Sequence, residues 1–286
     1  MRQINIFKKI SVITIWLWLG FFALVPNVLV MITSMLQQGD NELVRLQLTL
    51  INYFELFDTI YVRIFVHSIW LAGLCTFLCL IVGYPFAYIL ARTHHRYKGL
   101  LLLLVIIPFW TSSLIRSYAI VTILKAKGII NSLFIWLGII HQPLQLLYSG
   151  SAVVVGLVYS LLPFMILPLY ANIEKLDMRL IDAARDLGAT KLTVFRKVIL
   201  PLTMPGIIAG IMLVFLPAMS MFYIPDLLGG AKTLLVGNLI ENQFLAARNW
   251  PMGSTVSIIL TLLMGLMLLV YWRSSTKINK EQQELI

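Results

Sequence analysis

The chain has 286 residues, 60% of them hydrophobic and 12% charged, with a mean hydropathy of +0.91. A soluble globular domain carries about twice that share of charged residues, so the composition excludes one and points to a membrane protein. The formal net charge of +10 would suit nucleic acid in a soluble chain, but the positions of the basic residues fit membrane orientation, and no nucleic-acid partner is expected.

Crossing the hydrocarbon takes about 20 mostly apolar residues, because a helix rises about 1.5 Å per residue and satisfies its own backbone in lipid. Six segments meet this, at 10–36, 63–91, 100–124, 151–170, 201–223 and 254–272. Period-2 alternation is missing, which argues against a barrel. The expected fold is therefore an all-α integral membrane protein with six transmembrane helices, forming one domain over 1–286. Arg2, Lys8 and Lys9 precede the first apolar run as in a signal peptide, but the run is too long and ends without a small-x-small cleavage site, so it reads as a retained anchor. Cys75 and Cys79 lie four apart in the second segment with no His or carboxylate at ligand spacing, which favours packing over metal or disulfide. Pro163 and Pro168 are expected to kink the fourth.

Basic residues outside the spans fix the orientation, since they are retained on the cytoplasmic side. The N-terminus has Arg2, Lys8 and Lys9, and the second-to-third loop Arg92, Arg96 and Lys98. The fourth-to-fifth loop has Lys175, Arg179, Arg185, Lys191, Arg196 and Lys197, and the C-terminus Arg273, Lys277 and Lys280. The alternate side has Arg45, Arg63, Lys125, Lys127, Lys232 and Arg248, leaving Arg116 within a span. Fifteen against six places both termini in the cytoplasm. The outer connections carry Tyr53, Tyr148 and Trp250, suited to interfacial or re-entrant pieces.

One cytoplasmic segment, 177–200, departs from the apolar pattern. Leu180, Ala184, Leu187 and Gly188 form a narrow apolar stripe at helical spacing, while Arg179, Asp182, Arg185 and Asp186 occupy the other faces. Gly188 suits a helix stop, and Thr190 a cap on a second short helix that ends where Pro201 begins the fifth span. A membrane-surface amphipathic helix would account for this pattern equally well.

The residue identities decide between the two. Asp182, Ala183, Ala184 and Gly188, followed by Ile199, Leu200 and Pro201, resemble the EAA loop of bacterial binding-protein-dependent ABC importer permeases of type I. Asp182 stands where that loop usually has Glu, one methylene shorter. GYPFAYILAR (83–92), IPFWTSSLIRSYA (107–119), GLVYSLLPFMILPLY (156–170), PLTMPGIIAG (201–210) and FYIPDLLGGAKTLLVGNLI (222–240) extend the likeness over nearly the whole chain after the first span, toward the permeases of spermidine/putrescine importers. The resemblance implies an inner-membrane permease whose Asp182 loop is a coupling helix seated on a separate ATPase subunit. It also implies a second homologous permease, an ATPase dimer that binds ATP and Mg, a periplasmic polyamine-binding protein, and surrounding membrane lipid. This chain itself is then expected to hold no cofactor or metal and to be no enzyme.

A polyamine path should offer aromatic faces and a few carboxylates. Candidates are Trp110 and Tyr118, flanking the polar run in the third span, and Tyr223 and Asp226 at the outer end of the fifth. Arg116 fits poorly in a cation path. Either it snorkels to the outer interface, or it pairs with Asp226 at similar depth and closes an outer gate.

Other chemistry finds no motif. GGAKT (229–233) lacks the full phosphate-loop pattern, His67, His94, His95 and His141 have no metal spacing, and SGSAV is not a nucleophile elbow. An intramembrane enzyme is thus disfavoured, and an ion-coupled carrier would need acidic residues deeper in the spans. An ABC importer for another small solute stays open.

Overall fold

The computed structural model describes residues 2–39, 43–230 and 233–284. Lys232, counted above on the outer side, and the middle of GGAKT lie outside these. The regular elements among the described residues are helices and one short hairpin. In order, it has α1 (Arg2–Leu19), a π turn at Gly20–Leu24, α2 (Val25–Ser34), β1 (Leu36–Gln37), β2 (Arg45–Leu48), α3 (Ile51–Glu55), α4 (Thr59–Arg92), α5 (His95–Trp110), α6 (Ser113–Leu124) and α7 (Ile129–Trp136). Then follow α8 (Gly150–Glu174), α9 (Met178–Asp186), α10 (Lys191–Val194), a π turn at Phe195–Ile199, α11 (Leu200–Ser220), a π turn at Pro225–Gly229, α12 (Val236–Glu241), a π turn at Asn242–Ala246 and α13 (Trp250–Glu284).

Six stretches are long and apolar enough to cross a membrane: Ser11–Ser34, Thr59–Arg92, Ser113–Trp136, Gly150–Glu174, Lys191–Ser220 and Trp250–Arg273. Two differ from the sequence expectation. The third expected span, 100–124, is no single helix, because Thr111 and Ser112 take extended backbone (ψ 147° and 133°) between α5 and α6. Pro108 withholds one ladder N–H, and the Thr111 hydroxyl donates to the Pro108 carbonyl at 2.8 Å, so local bonds replace the helical ones. The fifth span does not begin at Pro201. The helix runs from Lys191 through the π turn, where the Leu200 N–H reaches back to the Phe195 carbonyl, and the wider turn accommodates the proline ring without a break.

The chain falls into two compact units. The first comprises Met1–Val62 and Leu239–Leu263. Its polar knot is Ser34: the Asn52 amide donates to the Ser34 and Leu36 carbonyls at 3.3 and 2.9 Å, and the Thr255 hydroxyl donates to the Ser34 carbonyl at 3.1 Å. The antiparallel hairpin pairs Leu36 with Leu48 and Gln37 with Arg45. No residue in the most apolar window of the first span is buried, whereas Ser34 at its end is, so the bonds around Ser34 tie this helix into the unit.

The second unit comprises Arg63–Asn238 and Met264–Ile286. Its centre is α8, where Leu157, Leu161, Met165, Leu169 and Ile173 are buried. Glycines bring α11 against it: a Cβ on Gly206 would lie 2.7 Å from Asn172 Cβ and 3.0 Å from the Pro168 carbonyl oxygen. In lipid, where there is no hydrophobic drive between helices, such close approach supplies the van der Waals attraction. Buried Cys75 and Cys79 are free thiols packed in this core, and Tyr84 of α4 shares a 3.0 Å hydrogen bond with Thr203 of α11.

Candidate functional site

The wet segment folds as a clamped helix. The Asp177 carboxylate caps α9 by accepting from the Arg179 N–H at 3.0 Å. The helix stops in a Schellman turn: Gly188, at φ +81°, donates to the Arg185 carbonyl at 2.8 Å, and Ala189 to the Ala184 carbonyl at 3.1 Å. Thr190 then caps α10 by accepting from the Thr193 N–H at 3.3 Å.

The apolar stripe read from the sequence divides differently in space. Ile181, 1% exposed, packs with Val194 and Ile199, flanked by Tyr88, Ala184, Ala189 and Val198. Leu180 is exposed, and Leu187 is 89% exposed. Successive helical residues turn by about 100°, so Ala184 falls between the inward Ile181 and the outward Leu180 and Leu187. One flank of the stripe holds α9 to the chain, and the other is left uncovered beside Ala183, which is exposed; Asp182 is exposed too, on the opposite face from Leu180. Asp182 makes a loose 3.8 Å ion pair with Arg185, with both side chains more than half exposed, which contributes little. Ile199, Leu200 and Pro201 continue into the fifth span, Ile199 as part of the clamp.

The path candidates lie elsewhere in the second unit. Trp110 ends α5 at the break and is 79% exposed, and Tyr118 on α6 is 58% exposed. Tyr223 is half-buried, edge-on to Phe222 with ring centroids 6.0 Å apart. The Arg116–Asp226 ion pair is not formed among the described residues. The Arg116 guanidinium lies 5.6 Å from the centroid of the Phe109 ring, and its Nε and Nη1 are buried with no hydrogen-bond partner. Asp226 Oδ1 instead accepts from Asn238 Nδ2 at 2.6 Å. The break at Thr111–Ser112 interrupts the third expected span below Arg116, so its depth does not follow from a straight helix.

Asn238 and Phe109 were not singled out from sequence. Asn238 is fully buried. Its amide donates to the Phe222 carbonyl at 2.8 Å and its oxygen accepts from the Leu235 N–H at 3.2 Å, so it fixes the segment that bears Asp226. A lone amide within the apolar run LLVGNLI was the available signal. Asn238→Leu is expected to cost about 1–3 kcal/mol by leaving these groups unsatisfied, read as a lowered unfolding temperature of the purified protein in detergent.

Among the described residues no three His, Cys, Asp or Glu side chains gather as a metal site. Apolar helices around a glycine-packed centre, with one capped polar helix clamped to the root of a span, define a helical integral membrane protein. The sequence model of the binding-protein-dependent transport system inner membrane component family matches residues 83–276, and the chain belongs to that family. It is 49% identical over 285 residues to the spermidine/putrescine transport system permease protein PotB of Salmonella typhimurium (strain SL1344), covering 100% of this chain and 99% of that protein. To the PotB protein of Escherichia coli (strain K12) it is 52% identical over 270 residues, 94% of this chain and 98% of that one. The fold matches a chain of a bacterial ABC transporter that imports the acidic polysaccharide alginate, with TM-score 0.76 and 16% identity over 97% of this chain and 99% of that chain. A chain of the MetNI methionine ABC transporter matches with TM-score 0.56 and 17% identity, over 76% and 95%. The chain is thus a multi-pass inner-membrane transport component with the fold of type I ABC importer permeases.

Proposed function

We propose that the chain is one of two permease subunits of an ATP-driven importer of polyamines of the spermidine/putrescine class. The observation that carries this reading is the uninterrupted helix Lys191–Ser220 with α9 clamped to its root through Ile181, Val194 and Ile199. A partner pressing on the uncovered Leu180, Ala183 and Leu187 side of α9 moves the span as a rigid body, which is what alternating access requires. That partner is an ATPase subunit, one of a pair that binds ATP and Mg. Asp182, Ala183, Ala184 and Gly188 form the docked element, and Ile199, Leu200 and Pro201 the transmission. The charge count supports a cytoplasmic position for this end and both termini.

The helix break supports the location of the path. Irregular backbone at membrane depth is tolerated only against protein or water, and Trp110, Thr111 and Ser112 are exposed on this chain alone. A second permease and a water-lined path cover them, with Trp110, Tyr118, Tyr223 and Asp226 available to a cation. Asp226, oriented by Asn238, supplies the carboxylate, and a periplasmic binding protein delivers the substrate above it. This chain supplies no cofactor and no catalytic group.

Uptake of radiolabelled spermidine and putrescine, in cells lacking other polyamine importers and with or without this chain, tests the substrate. Chain-dependent uptake is expected, and its absence with the complex assembled rejects polyamines. Asp226→Asn is expected to lower apparent affinity by about tenfold, the order of one charge-assisted contact; wild-type affinity removes Asp226 from the path.

A further inference from the structure

Behind the clamp lies a cavity of about 420 Å³ that transport as described does not use. Tyr84, Pro85, Tyr88 and Ile89 of α4 form one wall, and Val194, Phe195 and Ile199 the other. Tyr84 and Phe195 meet edge to face at its base, with ring centroids 5.8 Å apart. The remaining lining residues are Arg185 and Lys191, and no carboxylate lines it. A third cation lies next to it. The Arg92 guanidinium is 5.4 Å from the centroid of the Tyr88 ring, with Nε and Nη2 buried and without a hydrogen-bond partner. Asp182 reaches one of these cations, through its loose 3.8 Å pair with Arg185.

Depth bears on what this cavity accepts. The 21 residues of α11 extend about 32 Å, close to the hydrocarbon thickness of about 30 Å. Lys191 to Ile199 therefore fall at the level of lipid headgroups. An apolar wall with cations at that level is the arrangement that receives an anionic lipid.

We propose that this cavity binds one anionic phospholipid, its phosphate held by Arg185 and Lys191 and the start of an acyl chain against Pro85, Ile89 and Ile199. An acidic side chain from a protein partner would meet the two cations but leave the apolar wall empty. The lipid bridges α4 to the clamp of α9, so its presence stiffens the joint between the coupling helix and the bundle. The inference rests on the proposed reading only for the leaflet it assigns, the inner one.

The whole complex, reconstituted in vesicles of phosphatidylethanolamine with or without phosphatidylglycerol and re-extracted, is analysed by native mass spectrometry. Wild type is expected to retain phosphatidylglycerol over phosphatidylethanolamine. The Arg185→Gln/Lys191→Gln double variant is expected to lose this preference by about tenfold. Ile89→Trp, which fills the cavity and leaves the cations intact, is expected to expel the lipid equally. Equal retention by wild type and both variants overturns the site. So does disulfide trapping, with an added oxidant, of an Ile89→Cys variant to a cysteine introduced into the ATPase subunit at the same yield with and without phosphatidylglycerol, which assigns the cavity to protein. Retention is scored by mass rather than uptake, so a wrong substrate leaves the lipid result readable, and loss of lipid preference leaves polyamine uptake measurable.

Discussion

Gly206→Leu is expected to deplete the folded chain from the membrane. The first added carbon would already lie 2.7 Å from Asn172 Cβ and 3.0 Å from the Pro168 carbonyl oxygen, and the carbonyl belongs to helix backbone that has no room to retreat. Overpacking of this kind costs about 1–3 kcal/mol, on the pair of helices that makes the centre of the second unit. Gly73→Leu is the control. It is also a helical glycine, but a Cβ there meets nothing within 4 Å, so the same gain in size should leave abundance near wild type. Immunoblots of membrane fractions and unfolding temperatures in detergent measure both. Equal abundance of the two variants would mean that α8 and α11 do not depend on close approach.

Gly188→Val is expected to lower uptake by tenfold or more while leaving the chain in the membrane at normal amounts. A β-branched residue at φ +81° costs about 1–2 kcal/mol, and relief comes by unmaking the Schellman turn that ends α9. The helix then loses its set angle to α10, and pressure on its outer flank no longer reaches the fifth span faithfully. Gly188→Asn, which tolerates that backbone region, should keep much of the activity. Uptake per mole of assembled complex separates coupling from abundance. A valine variant that transports like wild type would falsify the clamp as the transmitting element.

Hydropathy alone made five of the six spans legible, because lipid leaves the backbone no alternative to helix, but it put the third at 100–124 where the membrane-length stretch is Ser113–Trp136. The polar segment was legible in part, since Gly188 and Thr190 are stop and cap residues that act through bonds to near neighbours in the chain, whereas the Asp177 cap was not singled out. Features that depend on tertiary choice were not. Leu180 and Ile181 are equally apolar and adjacent, and only the positions of Val194 and Ile199 select Ile181 for the interior. Pro201 reads as a helix start because a proline favours the first turn, yet the π turn upstream lets the helix pass through it. Thr111 and Ser112 are tolerated in membrane helices, so their break could not be told from a polar face. Arg116 and Asp226 carry opposite charges at similar nominal depth, but their distances to Phe109 and Asn238 were not available from sequence.

The helix Lys191–Ser220 has a mechanical consequence. Its 30 residues measure about 45 Å, against a hydrocarbon layer of about 30 Å, so about 15 Å overhangs on the side of α9. Pivoted at the membrane boundary, this is a lever with a short driven arm and a long working arm, multiplying stroke by about two and dividing force by the same factor. A small closure below then becomes a wide excursion at the far end. Pro205 and Pro217 lie on the long arm, where a helix lacking two ladder bonds bends most easily. Their compliance decides how much of that gain is delivered.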